Sequence, residues 1–356
     1  MIVPILDLSQ AFDKEARSEL ILQLRDALLS VGFFYVTNVP IDDHPGLLQS
    51  LTSQATEFFA LPSESKSRLS MANSPHFLGY SGFASEITAN ARDLREHIEL
   101  ATELPAPPKS TLTKEDEVWR NLEGPNQWPE PEQIPQFRPV VERYISETSK
   151  FARWFISLVA EALSLDPSAF DAFFKPNQQC KMKLVKYPES GAHPDGVHGC
   201  GAHRDSNFLT YLYQATPHVS LQIQDRLNSG AWVDVPPIPD TLVVAVGQTL
   251  EYITKGVCTA TVHRVLAPEP GIGDRLSVPF FQTIDAACVA SSLEIPEELL
   301  RLRDARTERG EKIGFQFAAD GSKPVGWTVL LNRIKSHRDV AQRWYPELLA
   351  YVLAQV

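Results

Sequence analysis

Between Cys180 and Thr283 the chain is written in short apolar stretches broken by turn residues, a texture that few folds can absorb. The stretches cover 180–187, 207–214, 220–224, 242–246, 260–266 and 277–283, with turn signals such as Asn228-Ser229-Gly230 and Pro270-Gly271 between them. Each is too short to bury itself alone, and a set of this kind satisfies its backbone by closing into a jelly roll or barrel. The chain upstream reads differently. A short strand over 3–6 precedes a helix carrying Leu20, Leu24, Ala27 and Leu28, which Gly32 can end before a buried strand over 33–36. A helix over 47–59 stops at Leu61-Pro62, and 105–135 is dense in Pro, Glu and Asn, so it reads as loops with short helical turns. Val140, Tyr144, Thr148, Phe151, Phe155, Leu158, Val159 and Ala162 then hold a helical period over many turns, enough to brace the sheet that follows. From Glu297 the pattern is helical again, through Val340, Trp344, Leu348 and Leu349.

Within the strand region His203 and Asp205 stand two residues apart, where an extended strand would aim both the same way. His263 follows in a second apolar strand. Two imidazoles and one carboxylate on one face of a metal leave the opposite face open, the arrangement of Fe(II) sites that hold dioxygen beside a substrate. Arg275, on a later strand, has the fork that grips a carboxylate through two hydrogen bonds, unless Asp274 or another acid claims it.

Composition excludes several other classes. A formal net charge of -11, with no basic block, argues against a polyanionic partner and so against nucleic acid. The opening Met1-Ile2-Val3-Pro4 has no basic start or apolar run of a signal peptide, and no stretch approaches a membrane span. Cys180, Cys200, Cys258 and Cys288 are spaced unlike a disulfide framework or a zinc site, which fits free thiols in a reducing cytoplasm. The expected partner is a small molecule, met without membrane or nucleic acid.

The ordered set Lys183-Leu184-Val185-Lys186-Tyr187-Pro188, His203-x-Asp205, His263-Arg264-Val265 and Arg275-x-Ser277-x-Pro279-Phe280-Phe281 resembles the isopenicillin N synthase-like group of non-haem Fe(II)- and 2-oxoglutarate-dependent dioxygenases. Val31-Gly32-Phe33-Phe34-Tyr35-Val36-Thr37-Asn38 and Gly79-Tyr80-Ser81-Gly82 are similar to the N-terminal region of the same group. The resemblance implies a double-stranded β-helix: a mainly β jelly-roll core over 176–286, an N-terminal α/β region over 1–175 and a helical extension over 287–356. It implies Fe(II) held by His203, Asp205 and His263, 2-oxoglutarate as co-substrate and O2 as oxidant. Arg275, Ser277 and Tyr187 would take the distal carboxylate of 2-oxoglutarate. The reaction implied is oxidation of an unactivated C–H bond of a small metabolite, by hydroxylation, desaturation or cyclisation, with release of succinate and CO2. The alternative is an oxidase of the isopenicillin N synthase type, which needs no 2-oxoglutarate. A role in specialised metabolism follows by resemblance only.

Around that site the candidates for the substrate pocket are Lys183, on the same strand face as Tyr187, Phe208 beside the metal motif, Phe281 and Trp327. His193, His198 and His218 read as surface or gating residues, and Arg92, Arg95 and Glu96 as a solvated helix face. Plant-type relatives often carry Asn two residues before the Tyr, where this chain has Val185.

Overall fold

The computed structural model describes residues 2–88, 91–189, 198–226, 230–289, 291–308 and 323–354. The strands are β1 (Ile5–Asp7), β2 (Phe33–Thr37), β3 (Gly79–Ser81), β4 (Ile87–Thr88), β5 (Ala91–Arg92), β6 (Glu96–Ala101), β7 (Lys181–Tyr187), β8 (His198–His203), β9 (Leu209–Gln214), β10 (Leu221–Gln224), β11 (Trp232–Asp234), β12 (Leu242–Val246), β13 (His263–Leu266) and β14 (Arg275–Gln282). The helices are α1 (Arg17–Asp26), α2 (His44–Ala60), α3 (Ser63–Arg68), α4 (Phe137–Ala162), α5 (Gln248–Ile253), α6 (Glu297–Glu308), α7 (Val325–Ser336), α8 (Arg338–Trp344) and α9 (Pro346–Leu353).

One large sheet runs β1-β2-β12-β9-β14-β7-β6-β3, and a smaller one runs β11-β10-β13-β8. Strand alternation gives the large sheet two apolar faces. Its outer face, including Phe34, Met182, Leu184, Tyr211, Leu242 and Phe280, packs on the helices. The stripe of α4 meets it there, with Tyr144 edge-on to Phe280 and Phe151 edge-on to Tyr211. Its inner face, with Phe33, Tyr35, Val185 and Val243, packs on Cys200, Leu221, Ile223 and Val265 of the smaller sheet. The result is the jelly-roll sandwich with helical layers around it.

The sheet does not stop at the expected boundary near residue 175, because β1, β2, β3 and β6 extend it on both sides of the core strands. Gly32 makes one of these joins. It sits at φ 68, and a Cβ there would lie 2.1 Å from the Thr259 carbonyl oxygen, so no other residue can end the helical stretch Ala27–Val31 and enter β2 this way.

Three elements differ from the sequence reading. β8 begins at His198, read above as a surface or gating residue; Gly199 belongs there because a Cβ would meet the Tyr187 ring at 2.6 Å. β6 is buried at every position despite Glu96, His97 and Glu99, whose charges hide the strand pattern. Arg95 and Glu96 are therefore not on a solvated helix: Glu96 opens β6, Arg95 lies in buried ion pairs, and only Arg92 is exposed. Finally, α7, α8 and α9 fold back on Phe77, Val118 and Trp119, which sets α7 across the open end of the sandwich.

Candidate metal centre and its cavity

His203 ends β8 and His263 begins β13, the two being register partners, and Asp205 lies just beyond the end of β8 rather than on it. The Oδ1 atom of Asp205 is 3.6 Å from Nε2 of His203 and 3.7 Å from Nε2 of His263. All three donor atoms fall within 4.8 Å of one another. The far side of each group is tied down. His203 Nδ1 contacts the Gly201 carbonyl oxygen at 2.8 Å and His263 Nδ1 contacts that of Thr261 at 3.2 Å. A carbonyl only accepts, so each ring donates through Nδ1 and turns Nε2 inward; against the opposing effect of burial, Cys200 and Asp205 hold His203 well above its ordinary value. Thr210 donates to Oδ2 of Asp205 at 2.5 Å, leaving Oδ1 for the centre. Burial opposes ionisation of Asp205, yet the two imidazoles and Thr210 hold its carboxyl well below the usual range. Burial, then the neighbouring His203, pushes His263 down to about 4. A neutral imidazole and an ionised carboxylate are the protonation states that bind a metal, and two nitrogens with one oxygen fit Fe(II) with open positions.

The register places the rest of the site on the inner face of the large sheet as successive rows. Arg275 pairs with Tyr187, Ser277 lies between Val185 and Gln214, and Phe281 lies between Lys181 and Thr210. The metal-proximal row is thus Thr210-Phe281-Lys181, and Arg275 stands three rows deeper in the sandwich. Arg275 is 1 % exposed and, among the described residues, forms no ion pair with Asp274, which approaches Lys186 instead at 3.5 Å. Its Nη2 donates to Gln214 at 3.2 Å, while Nε and Nη1 have no hydrogen-bond partner among the described residues. A buried guanidinium that lines the cavity with donors to spare suits an anion such as a carboxylate. Gln214, Thr210 and the cationic residue Lys181 were missed in the sequence; only the strand period, once the register is known, brings them to this face.

The cavity has a volume of about 600 Å³ and takes in the three donors, Arg275, Ser277, Tyr187, Lys183 and Phe281. Phe208 is excluded: it is fully buried in the helix-facing core, edge-on to Phe170 and Phe174. Trp327 is on α7 but lines a separate small pocket with Trp119 and Lys323, not the cavity. His218 is buried, with both ring nitrogens bonded to Thr216 and Ile272, and His198 begins β8. His193 lies outside the described residues.

Beyond Phe281 the wall is charged, and most of its charges are matched. Lys183 meets Glu86 at 3.2 Å and Glu99 at 3.7 Å, and Arg95 meets Glu86 at 2.7 Å and Asp93 at 2.9 Å. Arg333 of α7 grips both oxygens of Glu99, one at 2.7 Å. Glu86, His97 and His337 form a second group of donors within 4.8 Å. That group does not suit a metal, since an ion there would sit against the Arg95 and Lys183 cations already bound to Glu86. Burial keeps both imidazoles neutral, helped by Lys183 and Arg95 at His97 and by Arg333 and Lys183 at His337, which is pushed down to about 4.

Comparisons with known proteins agree with this geometry. Residues 3–131 match the family model described as the non-haem dioxygenase in morphine synthesis N-terminal region, and 178–284 match the 2OG-Fe(II) oxygenase superfamily. A 2-oxoglutarate-dependent dioxygenase of a Dothideomycetidae species is 42% identical over 99% of this chain and 95% of its own length. A 2-oxoglutarate-dependent dioxygenase of Gibberella zeae is 35% identical over 98% and 92%. Clavatol oxidase of Penicillium crustosum is 31% identical over 78% of this chain and 85% of its own. Among solved structures, a full-length Neurospora crassa protein in complex with alpha-ketoglutarate superposes with a TM-score of 0.72 at 21% identity, covering 94% of this chain and 97% of its own.

Proposed function

Because this chain belongs to the Fe(II)- and 2-oxoglutarate-dependent dioxygenases, we propose that it oxidises an unactivated C–H bond of a small metabolite in the cavity between the two sheets and α7. It is an enzyme that uses Fe(II), 2-oxoglutarate and O2, and the oxidase that dispenses with 2-oxoglutarate is not favoured. In this reading His203, Asp205 and His263 hold the iron. Bound together, Fe(II), 2-oxoglutarate and O2 supply the oxidising power that breaks a C–H bond, with release of succinate and CO2. The protein's part is to bind, orient and keep water out. Thr210 and the carbonyls of Gly201 and Thr261 fix the three donors. Arg275 takes the distal carboxylate of 2-oxoglutarate with Ser277 and Tyr187 beside it, and Gln214 steadies the guanidinium. Phe281, Pro279 and Leu212 give the reacting carbon an apolar surround.

The observation that carries this assignment of residues is the buried Arg275 guanidinium, with N–H groups unpartnered among the described residues, lining the same cavity as the three converging donors. Hydroxylation, desaturation and cyclisation differ only in where the target carbon is held. Relatives named for small metabolites, clavatol oxidase among them, support a place in specialised metabolism. A net charge of -11 supports the absence of a nucleic-acid partner. No described helix is long and apolar enough to cross a membrane, and the buried free thiols of Cys180 and Cys200 support a cytoplasmic setting. Asp205→Ala tests the assignment: iron binding and iron-dependent succinate release are expected to disappear while the far-ultraviolet circular dichroism is unchanged. Activity retained in that variant refutes it.

A further inference from the structure

Resting on that reading of the cavity, we propose that the substrate is a small carboxylic acid whose carboxylate sits on the ammonium of Lys181, across the Phe281 ring from the metal. Three observations carry this. First, position: Thr210, Phe281 and Lys181 form one row of the sheet, and Thr210 holds the metal-facing Asp205. Two inter-strand spacings, about 10 Å, therefore separate the backbone beneath the metal from the backbone beneath the ammonium. Second, charge: the distal wall holds the cations Arg95, Lys181, Lys183 and Arg333 against the anions Glu86, Asp93 and Glu99. Each of these cations but Lys181 has a carboxylate; Lys335, which also lines the cavity, is exposed to solvent. Glu123, which also lines the cavity, is taken by Lys175 at 2.9 Å, and Lys175 in turn reaches Asp285 at 3.3 Å. Lys181 has only the His76 carbonyl oxygen at 3.2 Å, and among the described residues no carboxylate forms an ion pair with it. Third, chemistry: the ammonium of the half-buried Lys181, with two N–H bonds to spare and one unmatched charge, suits a singly charged, hydrogen-bonding anion. Phe281, Pro279, Ile284 and Val329 line the same cavity and fit an apolar body. The wall thus distinguishes the substrate from 2-oxoglutarate, whose own carboxylate is directed to Arg275 deep between the sheets.

The test uses the full chain loaded with Mn(II) in place of Fe(II) and saturated with 2-oxoglutarate at pH 6.5. Matched probes, isovalerate and isovaleramide, benzoate and benzamide, phenylacetate and phenylacetamide, are titrated, and their proton signals report both affinity and broadening by the metal. The acids are expected to bind about tenfold tighter than their amides. Lys181→Met should erase that preference and Lys181→Arg should keep it. The proposal is overturned if no acid outbinds its amide, or if the preference survives in Lys181→Met. Calorimetric titration of Mn(II) and 2-oxoglutarate is recorded on the same samples. Absence of their binding, with the acid preference intact and no metal broadening, would refute the iron assignment and leave the Lys181 site standing.

Discussion

Arg275 is held where a folded protein ordinarily tolerates no such group: fully buried, with Nε and Nη1 bonded to nothing among the described residues. Each unmade bond to a buried charged donor costs about 1–3 kcal/mol. Replacement by Met keeps the stem and removes the cost, so Arg275→Met should raise the midpoint of thermal unfolding of the ligand-free protein. The same variant should weaken 2-oxoglutarate binding by about 2–5 kcal/mol, read by calorimetry; unchanged affinity would deny the residue its role. Lys181 poses the same conflict in a form that pH can expose. Burial, then Arg333, lowers its ammonium to about 7. Glu99 and Glu123 act in the opposite sense, and Lys183 adds to the lowering. The unfolded chain keeps this proton up to its ordinary value of 10.5, whereas the folded chain releases it near 7. Stability therefore falls as the pH drops from 10.5 to 7, and the whole penalty is present below 7. Lys181→Met should be more stable than the parent by on the order of 2 kcal/mol below neutrality, with the gain fading as the pH rises. A gain independent of pH, measured by urea unfolding, would show that the ammonium is not strained.

Among elements, α7 decides whether the cavity has a roof, and one ion pair fastens it. Glu99 of β6 is fully buried and depends on Arg333 and, more distantly, Lys183, which together hold its carboxyl well below the usual range against the opposing effect of burial. Arg333→Met should cost about 3–5 kcal/mol, the scale for stranding one member of a buried pair. Adding Glu99→Gln should recover a large part of it, which separates lost pairing from lost packing. Additive losses in denaturant unfolding would contradict the pairing. This element also marks how far the sequence could be read. The long helix α4, the buried strand β2 and the core strands β7, β9, β12 and β14 announce themselves through period and β-branched residues. The three candidate metal ligands, which the structure brings within 4.8 Å of one another, did so through chemistry, His203 and Asp205 by their spacing. β6 and β8 did not: Glu96, His97 and Glu99 look solvent-facing until their partners Lys66, Lys183 and Arg333 are brought from distant parts of the chain, and Gly199 and Gly201 look like a loop until Tyr187 packs on the first. Lys183 was legible as a cavity residue, but its neutralisation by Glu86 was not. Phe208 and Trp327 failed because an aromatic in a strand or helix carries no mark of which face is core.

At the scale of the whole molecule, one sheet ties every layer together. β1 and β2 close one edge, β3 and β6 the other, and the metal donors, Arg275 and Lys181 all stand on or against that sheet. A ligand bound there contacts both sheets and, through the distal wall, α7. Its binding energy is therefore expected to stabilise the fold as one unit rather than a local lobe. With metal present, 2-oxoglutarate at a hundredfold its dissociation constant should add about 2.7 kcal/mol to unfolding, and chelation of the metal should abolish most of that gain. Arg275→Met should keep the increment from the metal and lose the one from 2-oxoglutarate, because the row of Thr210, which holds Asp205, and the guanidinium stand three rows apart. Scanning calorimetry reads all of these on one sample set. A second, ligand-insensitive transition would mean that the strands outside 176–286 unfold separately, and that the continuity of the sheet does not make the protein a single cooperative body.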